Sequence, residues 1–166
     1  MRWLFAIAPR TILRFAEELT TLWLTLAGCL LASYSDVRTR RIPNWLTGSL
    51  ALTALAVHSF SGIRAALVSL AVMAALTVGG ALIYSARGIG GGDVKLAIAA
   101  SGMLSFPLCV PFLLYSAIGG GVLAIAFVVA RRMRETKTLP YAVAFALGAM
   151  LVLLSQSVAP FLRIEL

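Results

Sequence analysis

Charge is scarce in this chain: charged side chains are 12% of its 166 residues, hydrophobic ones 61%, and the mean hydropathy is +0.98. Soluble domains carry roughly 25% charged residues, so this composition excludes an ordinary water-soluble globule and indicates an integral membrane protein. Cysteine is nearly missing as well. Cys29 and Cys109 each stand alone in an apolar run, without the paired spacing of a zinc site or a disulfide framework, and both read as small buried hydrophobes. A signal peptide is missing too, because Arg10, Arg14, Glu17 and Glu18 interrupt the apolar core it would need. Residues 1–19 therefore read as an amphipathic lead-in helix lying at the interface, and residues 20–166 as the membrane-embedded domain.

Acidic residues number six against fourteen Lys and Arg, a formal charge of +8. Such a balance suits nucleic acid, an acidic partner or a membrane surface. The basic residues fall between apolar runs and do not interleave with aromatics, so they report membrane topology and no nucleic-acid partner is expected.

A helix crosses the bilayer core of about 30 Å with roughly 20 apolar residues at about 1.5 Å each. Six segments approach that length: 20–36, 45–60, 63–85, 94–106, 107–130 and 139–162. The fold class expected is all-α, a polytopic helical bundle embedded in the bilayer. The uncharged stretch from Leu96 to Ala130 is too long for one span, and proline places the break at Ser105-Phe106-Pro107. Alternating spans put Arg38, Arg40, Arg41, Arg87, Lys95, Arg131, Arg132, Arg134 and Lys137 on one side, leaving Arg2, Arg10, Arg14, Arg64 and Arg163 on the other. The richer side is cytoplasmic by the positive-inside rule, with the N-terminus outside a plasma (inner) membrane.

Two acidic residues then stand out. Asp36 closes the first span in LLASYSDVRTRRIPN, and Asp93 opens the fourth in ARGIGGGDVKLAIAA. Parity puts both on the cytoplasmic side. The fourth span is short, which recesses Asp93 below the interface. A carboxylate there is costly unless paired, hydrated or protonated, so it marks a functional site. Two neighbouring carboxylates share a proton. The ionised member can activate a water against a peptide carbonyl while the protonated member donates to the carbonyl oxygen, with no metal or cofactor. The run Gly88-Ile89-Gly90-Gly91-Gly92 can take positive φ and approach a substrate strand closely.

The residues alone leave other readings open. Asp36 with Arg38 or Arg40, and Asp93 with Lys95, fit surface ion pairs. The glycine run lacks the spacing of a nucleotide loop. The two Asp also fit cation or proton sites of a transporter, or a catalytically silent assembly component, which would work without them. His58 belongs to the outer linker region and reads as an interfacial hydrogen-bonding group. Trp3, Trp23 and Trp45 fit span ends, and Gly119-Gly120-Gly121 and Ala97-Ile98-Ala99-Ala100 fit close helix contacts.

The boxes in combination resemble the type IV prepilin peptidase family of GxGD membrane aspartic peptidases. GxGD is here Gly90-Gly91-Gly92-Asp93, followed by Val94-Lys95-Leu96. The other catalytic Asp of that family precedes basic residues and I-P-N, here Asp36 and then Arg41-Ile42-Pro43-Asn44. A third element, P-Y-x-x-A, matches Pro140-Tyr141-Ala142-Val143-Ala144. The resemblance implies catalysis by Asp36 and Asp93 and, as partners, prepilin-like or pseudopilin-like precursors. Their short basic leader would be cut at the cytoplasmic membrane edge, just before the apolar segment. Longer members add a domain with paired CxxC motifs and methylate the new N-terminus. No such domain is seen here, so the sequence is similar to the short peptidase-only branch associated with Flp or tight-adherence pili, and no methyltransferase activity is expected.

Overall fold

The computed structural model describes residues 4–85, 90–131 and 141–162. All regular structure among them is helical, in six helices: α1 (Leu4–Thr39), α2 (Asn44–Ser61), α3 (Ile63–Ser85), α4 (Gly91–Leu104), α5 (Cys109–Arg131) and α6 (Ala142–Leu162). The expected lead-in is helical and runs without a break into the first span, making α1 36 residues long.

The joints follow local chemistry. Gly62 separates α2 from α3 at φ +121, a left-handed value that glycine adopts without a Cβ penalty. Pro43, in extended conformation at φ −64 and ψ 135, opens α2. The expected break at Ser105-Phe106-Pro107 lies between α4 and α5. Ser105 turns the chain at φ 57 while its N–H still bonds to the Ser101 carbonyl at 2.9 Å.

The shortest helix occupies the middle. α4 has 14 residues, about 21 Å of helix, and packs against all five others. Leu96, Ala99, Ala100, Met103 and Leu104 are buried along it. Small side chains let its neighbours come close: a Cβ added to Gly102 would lie 2.5 Å from Met73 Cγ, and the Ser69 hydroxyl donates to the Gly102 carbonyl at 2.8 Å. Cys29 and Cys109 are buried free thiols, as expected.

Among the described residues, two helical segments are long and apolar enough to cross a membrane, Ile63–Ser85 and Cys109–Ala126. Only 11% and 22% of these windows are buried inside the protein. Their apolar surface therefore faces outward, unlike that of a core helix in a soluble protein.

His58, in the last turn of α2, makes the expected hydrogen bond, but as a buried group. It is buried, with Nε2 donating to the Met103 carbonyl at 3.0 Å and Nδ1 3.9 Å from Glu17 Oε1, which also accepts from the Ser61 hydroxyl. This cluster ties α1, α2 and α4 together at the end of α4 opposite Asp93. The tautomer follows from the bond: a carbonyl partner requires the proton on Nε2.

Candidate active site

Asp36 lies in the last turn of α1, where the helix dipole disfavours a negative charge. Its partner comes from another helix: Asp36 Oδ2 accepts from the backbone N–H of Ala142, the first residue of α6, at 3.5 Å. An anion at a helix N-terminus gains from the unpaired N–H groups and from the dipole, so α6 offsets what α1 imposes. Ser33, three residues earlier on the same face of α1, locks this junction. Its hydroxyl lies 2.9 Å from the Ala142 carbonyl and 2.7 Å from that of Cys29. Sequence reasoning passed over Ser33, whose only signal was its spacing from Asp36.

Asp93 is the third residue of α4, also at a helix N-terminus. It is half-buried and close enough to Asp36 to feel that carboxylate's charge. Two boxes that are 50 residues apart in sequence dock here. The Thr39 and Ser35 hydroxyls both donate to the Arg41 carbonyl, at 3.2 and 3.0 Å, folding the chain back on the end of α1. This carries Ile42-Pro43-Asn44 onto the first turn of α4. A Cβ on Gly92 would meet Ile42 Cβ at 3.3 Å, and Lys95 Nζ donates to Asn44 Oδ1 at 2.9 Å.

The expected use of the glycine run changes. Gly90 has φ −67, and Gly91 and Gly92 already belong to α4. These three serve close approach, not left-handed backbone. A Cβ on Gly90 would lie 2.9 Å from Asp93 Oδ2, and one on Gly91 would lie 3.3 Å from the Tyr84 ring. Gly88 and Ile89 lie outside the described residues, as does Pro140.

The ion pairs left open by the sequence fare differently. Lys95 bonds to Asn44 and leaves α4 on a face roughly 200° from Asp93, at about 100° per residue. The Arg38 guanidinium sits 5.3 Å over the Tyr34 ring.

Asp93 lines a cavity of about 540 Å³ bounded by α3, α4, α5 and α6. Tyr141, just before α6, and Phe145 on it share its wall, so the third sequence box meets the second in space. Apart from Asp93, Ser116 and the Tyr141 hydroxyl, the lining side chains are apolar or absent. Of the expected close-packing glycines, Gly120 contacts α6, with a Cβ there 3.5 Å from Ala144 Cβ. Gly121 faces open space in the cavity wall.

Residues 23–125 match the type IV leader peptidase family. The chain belongs to the type IV leader peptidase family. The match includes both Asp36 and Asp93 and ends before Tyr141, so in this leader peptidase the third box rests on the sequence resemblance and on its place beside the cavity. No curated protein and no solved structure matches it.

Proposed function

We propose that this leader peptidase is a multi-pass membrane aspartic endopeptidase that removes the short basic leader of prepilin-like precursors at the cytoplasmic face. Its catalytic pair is Asp36 and Asp93. The observation that carries this reading is that two carboxylates from distant sequence boxes come within reach of each other's charge, Asp36 at the first amide of α6 and Asp93 in the wall of an apolar cavity that Tyr141 and Phe145 share. Their positions at two helix N-termini suit groups that must carry negative charge in partly buried surroundings.

In this mechanism the pair holds one proton. The ionised carboxylate takes a proton from a water as its oxygen attacks the scissile carbonyl. The protonated carboxylate donates to the carbonyl oxygen, giving a tetrahedral intermediate. Collapse of that intermediate breaks the C–N bond and delivers a proton to the departing amine. The pair acts as a unit, and neither acid nor base is assigned permanently to one residue.

The test is leader removal from a panel of prepilin-like precursors by the purified protein in detergent, comparing wild type with variants of each carboxylate. A protein that retains cleavage without either group does not use this mechanism.

A gentler perturbation separates positioning from presence. Gly90→Ala puts a methyl against Asp93 Oδ2, the mobile end of a side chain, so the carboxylate shifts and the backbone does not. A displacement of that size is expected to lower kcat about 10- to 100-fold. The unfolding midpoint in detergent should stay at the wild-type value. A rate equal to wild type would mean that the position of Asp93 in the structure is not the reactive one.

A further inference from the structure

We propose that the cavity beside Asp93 seats the first helical turn of the precursor's apolar segment, which enters sideways from the bilayer between α3 and α5. This rests on the peptidase reading above and specifies how that site takes its substrate.

The route follows from what α3 and α5 do not do. Both helices line the cavity, and both contain the segments able to cross a membrane. Yet among the described residues no Cα of one lies within 8 Å of a Cα of the other. Their backbones stand apart, and α4 and α6 line the space between them. Ile83, on the α3 wall, is half exposed. The gap therefore opens onto the surface that these two helices present outward. Anything entering there from a bilayer is apolar.

Size and chemistry narrow the occupant. One helical turn with its side chains, 5.4 Å of pitch at about 10–12 Å diameter, fills roughly 400–600 Å³. The cavity holds about 540 Å³, enough for one turn and far too little for a whole span. Asp93 is the acid in its wall. A turn seated there lies next to the carboxylate, so the bond presented to Asp93 is the one that just precedes the apolar segment. Gly79 and Gly121 both line this space, and a Cβ at either meets nothing within 4 Å. The absence of side chains at these two positions is not needed for packing inside the protein. It leaves room for a visitor.

That vacancy provides the test. Gly79→Phe and Gly121→Phe add bulk to the cavity wall from a Cβ that meets nothing within 4 Å, so precursor cleavage should fall at least about tenfold, as expected when a bound segment loses its seat, with the unfolding midpoint read in parallel and expected at the wild-type value. Gly80→Phe would be a poor probe, because its Cβ would lie 2.5 Å from Val94 Cγ1. In a second arm, a photo-crosslinking benzophenone side chain is placed at position 79 or 121 of the Asp93→Asn protein and irradiated with intact precursor. Adducts should map to residues just after the cut, and a probe at Leu52, exposed on α2, should give none. Adducts to lipid alone, to a second copy of this chain or to the leader would overturn the proposal. So would wild-type cleavage by both Phe variants. Cleavage by Asp93→Asn would instead remove the peptidase mechanism, which keeps the two failures distinct.

Discussion

Asp93→Asn should reduce leader removal by about three orders of magnitude or more, as should Asp36→Asn, with the double variant no slower than either single one. Asparagine keeps nearly the shape of aspartate, so the amide can still sit opposite the Ala142 N–H or within the cavity wall. What it cannot do is carry or exchange the shared proton. In the proposed mechanism the pair acts as one unit, so losing either member loses the whole of its contribution, and a second loss adds little. Initial rates of leader removal, read by mass spectrometry on purified proteins, measure this. Multiplicative losses in the double variant would mean that the two carboxylates act in separate steps.

The second large effect is on stability. Gly148 of α6 lies against α5 so closely that a Cβ there would overlap the Ser116 hydroxyl and lie 3.0 Å from both the Phe112 carbonyl oxygen and the Ser116 amide nitrogen. Backbone atoms cannot swing aside as a side-chain tip can. Gly148→Ala must therefore push α6 off α5, at a cost of about 2 kcal/mol. For a chain of this length that lowers the unfolding midpoint by about 4–8 °C. Gly121→Ala meets nothing and should leave the midpoint in place. Activity should fall with Gly148→Ala as well, because α6 brings the N–H that holds Asp36. Equal midpoints for the two variants would show that α5 and α6 are not packed as described.

Much of this architecture is legible in the residues because membrane-spanning helices are long, apolar and interrupted by few signals. The break at Ser105-Phe106-Pro107 and the gap between the spans 45–60 and 63–85 are real joints, and the isolated cysteines are buried as their surroundings suggest. The lead-in is legible as helix, but its continuity with the first span is not, since charge at Glu17 and Glu18 reads as an interruption while helical hydrogen bonding ignores it. The glycine run misleads in part. Glycine permits both unusual φ and close approach, and only the structure shows that Gly90, Gly91 and Gly92 use the second.

His58 and the site are instructive in the same way. A lone histidine near a span end announces a hydrogen bond but not its partner, which is a carbonyl of α4 at 3.0 Å that leaves the ring buried. Asp36 and Asp93 announce themselves by type and motif, whereas Ser33 and the Ala142 amide do not, because their part is played through backbone atoms of a helix 106 residues further on than Asp36. Composition and spacing report chemistry carried by side chains. They are nearly silent on chemistry carried by the main chain.

The bond from Ala142 to Asp36 also sets an order of events in biosynthesis. Synthesis proceeds from the N-terminus, so both carboxylates have been made while the helix that anchors one of them is still to come. Contacts so distant in sequence form late, after loop closure has been met elsewhere. A ribosome-bound intermediate lacking α6 thus carries both acids but neither the Ala142 amide nor the Tyr141 and Phe145 wall. Such a nascent chain holds both acids before the surroundings of either are complete.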